Sequence, residues 1–289
     1  MRTRAVAVIF FLALLGGSPA GAGILTCQGV EATIVGTPGN DVIVGTPGDD
    51  YIQAGNGDDV IRGLGGWDSL CGGPGADLIL GGRGRDTLDG GVGNDRLKGG
   101  AGGDVLVDGP GRDVVFAGAG QSSNEVINGS GHDVYYGNAG RDEIQDGRGD
   151  DLYFGGGGPD QIFLALGGRD VFRAGAGRDI LSFFPATGAV VVNLATGRVH
   201  GSGPTGSGDD LVRSVEIAGG TNGNDTLIGS FADNGLAGLR GDDMIFGGAG
   251  DDFLDGNGTG VSPDGTDSLD GQAGFDTCRR GVIVLNCEA

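Results

Sequence analysis

The sequence predicts an all-β chain wound as a flattened parallel solenoid. Three observations carry that prediction: a nine-residue unit, Gly-Gly-x-Gly-x-Asp-x-aliphatic-x, fills most of the chain; 68 of the 289 residues are glycine; and each unit supplies one phased aliphatic residue. The clearest stretch runs from Gly72 to Val107 as GGPGADLIL, GGRGRDTLD, GGVGNDRLK and GGAGGDVLV. There Asp77, Asp86, Asp95 and Asp104 stay in phase, with Ile79, Leu88, Leu97 and Leu106 two residues behind them.

Each unit divides into a turn and a strand. Glycines at positions one, two and four admit the positive φ angles and close backbone approach of a tight turn. Six residues therefore form the turn. The remaining three, such as Leu78-Ile79-Leu80, make a minimal strand whose middle side chain points inward.

Two units complete one coil, with a strand on each of two sheets. Turns on one edge then stack every eighteen residues, about 4.8 Å apart, which sets Asp77 beside Asp95 and Asp86 beside Asp104. Like charges at that spacing repel unless a cation lies between them. The turns offer only hard oxygen donors, carboxylates and main-chain carbonyls, with no thiolate or imidazole in phase. Calcium takes six to eight such oxygens in flexible geometry, whereas magnesium demands a tight octahedron and zinc prefers nitrogen and sulfur. The expected ligands of multiple Ca2+ are Asp41, Asp50, Asp59, Asp68, Asp77, Asp86, Asp95, Asp104, Asp113, Asp133, Asp142, Asp151, Asp160, Asp170, Asp179, Asp225, Asp243, Asp252, Asp267 and Asp276.

This nonapeptide resembles the calcium-binding repeats of the RTX, or haemolysin-type, proteins over about 36 to 182 and 220 to 279. The resemblance implies a right-handed parallel β-roll of GGxGxDxUx repeats, here two stacked arrays with a β insertion. It also implies a site made of two stacked half-sites, each giving one Asp side chain and backbone carbonyls. One aliphatic residue per unit is a thin core for so glycine-rich a chain, so folding is expected to be coupled to calcium.

The array has defects. Asn124-Glu125 replaces the expected Asp after an insertion at Gln121 to Asn124, Leu164 adds one residue, and Asp233-Asn234 weakens a turn; these turns are expected to lack full sites. Thr259 to Asp264 is expected to bulge from an edge without shifting Asp267 or Leu269. Residues 183 to 219 break the repeat. Ala189 to Gly197 and Leu211 to Ile217 are strand-like, and the segment resembles the connectors that flank repeat arrays in this family.

The expected organisation is a signal peptide over 1–22, an N-terminal cap over 23–35, a first repeat array over 36–182 and a β-rich connector over 183–219. A second array over 220–279 and a C-terminal cap over 280–289 complete it. Arg2 and Arg4 precede an apolar run, Ala5 to Leu15, and then small residues suited to cleavage after Ala20 or Ala22. That run is shorter than the roughly 20 residues a membrane span needs, so a secreted, extracellular product is expected. RTX proteins commonly use an uncleaved C-terminal export signal, and a cleavable leader departs from that habit. Losing the leader moves the formal net charge from −21 to −23, which about a dozen divalent ions would neutralise. Four cysteines fit an oxidising compartment. Cys278 and Cys287 are expected to form an end staple across the core, leaving Cys27 to pair with Cys71.

No enzyme is expected. The two histidines, His132 and His200, are isolated, and Ser130, Ser202 and Ser207 lack a G-x-S-x-G setting. The G-x-G strings follow the nonapeptide period and carry no phosphate-loop meaning. A net negative chain is a poor nucleic-acid partner, and no segment is long enough to be transmembrane. The alternative to a calcium-folded binding protein is an extracellular matrix, surface-layer or adhesion component that uses the rigid roll as a spacer, with a cell-surface partner.

Overall fold

A computed structural model describes residues 29–165, 167–183, 188–201, 209–257, 265–281 and 283–288, with the backbone of short strands at 7–8 and 26–27. The leader prediction and the bulge from Thr259 to Asp264 lie outside these residues. The described residues contain strands, turns and bends and no helix. They form two compact units, Met1–Ala139 and Gly140–Ala289.

In the first unit successive strands alternate between two parallel sheets. One holds Asp41–Val44, Val60–Gly65, Leu78–Arg83, Arg96–Ala101, Val114–Gly118 and Val134–Tyr136. The other holds Ile34–Val35, Tyr51–Gln53, Ser69–Pro74, Thr87–Val92, Val105–Val107 and Asn124–Ile127. The register advances by eighteen residues per coil: Ile61 pairs with Ile79, and Ile79 with Leu97. Ile61, Leu70, Ile79, Leu88, Leu97 and Leu106 are fully buried between the sheets, so the aliphatic position of the unit is the core.

Some strands keep the three residues expected, such as Tyr51–Gln53 and Val105–Val107, while those in the cleanest repeats are longer. Leu78–Arg83 spans six, because Gly82 also pairs with Gly100 in the coil above. Positions one to three thus belong to the ladder, and the sharp turn shrinks to residues 84–86. Gly84, at φ +127°, is required there: a β-carbon would strike the Gly66 carbonyl of the coil below.

The second unit repeats this plan with one variation. Between Ile180–Ser182 and Ile217–Gly219, neighbours in one sheet, a single strand of the opposite sheet is replaced by three. Val190–Asn193 runs antiparallel to Arg198–Gly201, which runs antiparallel to Asp209–Arg213. The outer two pair in parallel with Thr226–Ile228 and Val171–Ala176. Val190, Val192, Val199 and Val212 bury their side chains in the same core. Beyond 258–264 the phase is kept, since Ile245 pairs with Leu269.

Cys278 and Cys287 form a disulfide, Cα to Cα 5.8 Å, but not across the core as expected. The last half-coil is short, so Val284 takes the inward register position opposite Leu269. Glu288 then bridges to Thr277, and the disulfide stitches neighbouring rungs on one side. Cys71 is disulfide-bonded and no cysteine among the described residues is free; the expected partner, Cys27, has its side chain outside the described residues.

Candidate metal centre

The twenty phased aspartates sit where the last turn residue enters a strand, and all are at most 5 % exposed. Their backbone geometry explains why burial is tolerated. The N–H of Asp59 donates to Oδ1 of Asp77 at 2.8 Å, that of Asp77 to Asp95 at 2.8 Å, and that of Asp86 to Asp104 at 2.9 Å. Each carboxylate thus caps the main chain of the coil below it. The sequence placed these aspartates in stacks, and the structure joins them through one oxygen of each carboxylate.

The other oxygen is different. Oδ2 is buried without a hydrogen-bond partner in Asp59, Asp68, Asp77, Asp86, Asp95, Asp104, Asp113, Asp160, Asp170, Asp179, Asp243, Asp252 and Asp276. An orphaned buried carboxylate oxygen is costly unless something positive answers it. For Asp68, Asp77, Asp86, Asp95, Asp104, Asp160, Asp243, Asp252 and Asp276, what faces it is the space left by the glycine at position one; no glycine stands there before Asp59, Asp113, Asp170 or Asp179. A β-carbon built on Gly81 would stand 2.6 Å from Asp86 Oδ2 and 2.6 Å from the Gly99 carbonyl oxygen, and one on Gly90 2.7 Å from Asp95 Oδ2 and 2.5 Å from the Asp108 carbonyl. Calcium–oxygen distances are about 2.3–2.6 Å. The cradle that only glycine leaves open therefore fits a hard cation in size and in donor chemistry.

Electrostatics point the same way. Burial first, and then the stacked neighbours Asp95 and Asp59, push the Asp77 carboxyl from 3.8 up to about 7. Burial raises Asp68, Asp86 and Asp95 to about 6 and Asp113, Asp160 and Asp243 to about 7. Without added positive charge, these groups resist ionising together.

Three predicted ligands differ. In the turns 36–41, 45–50 and 220–225, position two is threonine, and the main-chain N–H of Thr37, Thr46 and Thr221 donates to Oδ2 of Asp41, Asp50 and Asp225 at 2.5, 2.5 and 2.6 Å. The threonine hydroxyls donate to the same carboxylates. These aspartates are satisfied by the chain itself. Asn124 and Asn234 occupy the ladder position as acceptor and donor respectively, Asp104 N–H to Asn124 Oδ1 at 3.0 Å and Asn234 N–H to Asp252 Oδ1 at 2.7 Å.

Sequence reasoning missed two further sets of acids. Asp210 and Glu216 carry the ladder through the connector, accepting the N–H of Asp170 and Asp179 at 2.9 Å each. Position five, read as variable, holds an outer ladder running the other way. Asp49 accepts the N–H of Trp67 at 2.7 Å, Asp58 that of Ala76 at 3.1 Å and Asn94 that of Arg112 at 2.9 Å. The signal was present in the Asn-Asp and Asp-Asp doublets, such as Asp58-Asp59 and Asn94-Asp95.

No curated protein matches the chain. The family model of the RTX calcium-binding nonapeptide repeat matches residues 35–70, 44–79, 63–97, 72–106, 98–121, 127–162, 163–182 and 219–254. Those stretches cover more than half of the chain, and the partner they imply is calcium, several ions per chain. On the period, the stacked parallel coils and the carboxylate-and-carbonyl cradles together, the chain belongs to the RTX calcium-binding nonapeptide repeat family.

Proposed function

We propose that this is a secreted, non-enzymatic calcium-binding protein whose roll forms as its turns take up calcium. The observation that carries the reading is the run of buried, donorless Asp Oδ2 atoms facing glycine cradles. A calcium-free chain would bury that row of charge unanswered, and its thin core gives little to offset the ordering of so many glycines. Asp68, Asp77, Asp86, Asp95, Asp104, Asp160, Asp243, Asp252, Asp267 and Asp276, whose Oδ2 faces a position-one glycine, serve as side-chain ligands, with position-one carbonyls completing the oxygen set. Secretion is supported by the leader-like residues 1–22, and no helix among the described residues is long and apolar enough to cross a membrane.

The test is circular dichroism and calorimetry of the chain beyond residue 22, titrated with calcium and with magnesium as control. A cooperative gain of β signal with several ions bound is the expected result. A chain already fully folded in chelator, or one indifferent to calcium, would overturn it.

A second reading, an extracellular matrix, surface-layer or adhesion component, draws on Trp67, Phe231 and Phe275, which stand 70 %, 86 % and 76 % exposed on turns. Calcium-dependent binding to cells or matrix, lost when these aromatics are changed to serine, would favour it.

A further inference from the structure

In most turns position one is glycine, and the space beside it faces one carboxylate oxygen and one carbonyl. The turn 108–113 departs from this, because Asp108 stands in place of the glycine. Asp108 is 1 % exposed. Its Oδ1 accepts the N–H of Gly129 at 2.6 Å, which pins the carboxylate, while its Oδ2 is buried with no donor. Asp113 likewise has a buried, donorless Oδ2. Oδ1 of Asp113 and of Asp133 is held by the N–H of Asp95 and Asp113 at 2.6 and 2.7 Å. One carboxylate oxygen from each of Asp108, Asp113 and Asp133 lies within 4.8 Å of the other two. Burial, and then the nearby Asp133, push the Asp108 carboxyl up to about 8.

In a similar trio, Asp146, Asp151 and Asp170, it is the Asp146 carboxylate that is answered on both oxygens. There the Tyr153 hydroxyl donates to one oxygen of Asp146 at 2.6 Å and the Ala165 N–H to the other at 2.9 Å. Asp108 has no counterpart to the Tyr153 hydroxyl, and its Oδ2 is buried without a hydrogen-bond partner.

We infer that Asp108, Asp113 and Asp133 form a three-carboxylate calcium site, distinct in class from the glycine-cradle turns and the first of the chain's sites to fill. The inference rests on the reading of the repeats as calcium-binding. Calcium affinity rises with the number of charged ligands and with the rigidity of the site, and here a third carboxylate is added with its orientation already fixed by Gly129. The Asp108 carbonyl also lines the cradle of Gly90, so loading this site orders the turn beside it.

The experiment titrates calcium into the full chain, with a fluorescent calcium chelator as competitor so that the tight steps are resolved, and repeats it for D108G and D108N. Asp108→Gly restores the residue most repeats carry there, and Asp108→Asn keeps the acceptor for Gly129 while removing the charge. Circular dichroism in saturating calcium checks that both variants fold. The expected result is a tightest step weakened by about tenfold or more in both variants, with the later steps unchanged. A tightest step retained in both variants overturns the site. A native chain that binds no calcium at any step overturns the broader reading of the repeats instead.

Discussion

The main-chain N–H of Asp86 donates to Oδ1 of Asp104, eighteen residues later, at 2.9 Å. One carboxylate oxygen is thereby spent on the fold and one, Oδ2, is left for a cation. Asp86→Asn separates the two roles, since the amide oxygen still accepts the N–H of Asp68 while the charge is gone. Expected is a calcium stoichiometry lower by about one ion, with the saturated chain still folded. Unchanged stoichiometry by calorimetry would remove Asp86 from the ligands.

Acid should act oppositely with and without calcium. Asp68, Asp86 and Asp95 are raised to about 6 and Asp77, Asp113, Asp160 and Asp243 to about 7, by burial and then by nearby carboxylates, against 3.8 when unfolded. Between about pH 4 and 7 the folded, calcium-free state binds more protons than the unfolded one, so its stability falls as pH rises. In chelator, β signal should be greatest near pH 4 and fade towards pH 7. Calcium displaces those protons, so calcium affinity should rise across the same window. A calcium-free chain whose β signal is flat or rising from pH 4 to 7 contradicts the sign.

How much of this was legible in the sequence depends on what keeps phase. The aspartate at position six and the aliphatic at position eight recur every nine residues, and that alone fixed the coil, the register of Ile61 on Ile79 and the buried carboxylate row. Asp210 and Glu216 escaped because three strands stand where one was due, which puts them 40 and 37 residues from their ladder partners. The threonine caps of Asp41 and Asp50 escaped for another reason. Positive φ explains glycine at position two, but what a threonine hydroxyl does there depends on where the carboxylate points. The six-residue strands were hidden because glycine has low strand preference, yet Gly82 and Gly100 pair where nothing bulkier fits.

Leu64 occupies a position-two site at φ +79°, a conformation that costs a branched side chain about 1–2 kcal/mol. It is 47 % exposed, so little burial is given up on truncation. Leu64→Gly, the residue most repeats carry there, should stabilise the calcium-loaded chain by about 1 kcal/mol despite the added freedom of the unfolded chain. A lowered melting temperature in saturating calcium would show that the Leu64 side chain contributes more than its backbone costs.

At the far end the chain supplies its own cation. Arg280 donates through Nε at 2.8 Å and through Nη2 to the two oxygens of Asp255, which is 2 % exposed. Arg280→Met keeps the apolar stem and strands the carboxylate. Loss of one partner from a buried pair costs about 3 kcal/mol, and the loss should persist in saturating calcium. Full rescue by calcium would mean that an ion substitutes for the guanidinium at this turn.

The glycine cradle itself is open to test at Gly81. A methyl group there would stand 2.6 Å from both Asp86 Oδ2 and the Gly99 carbonyl oxygen, in the space assigned to the ion. Gly81 shows no positive φ, so alanine meets no φ penalty, but its methyl crowds the Gly99 carbonyl of the neighbouring coil, and circular dichroism in saturating calcium must first show that the variant folds. Gly81→Ala should therefore remove about one calcium from the stoichiometry, as Asp86→Asn does. The double variant should lose no more than either single change, because both act on one site. If the double variant loses two ions, the cradle of Gly81 and the carboxylate of Asp86 serve different sites, and the assignment of ligand oxygens to turns must be redrawn.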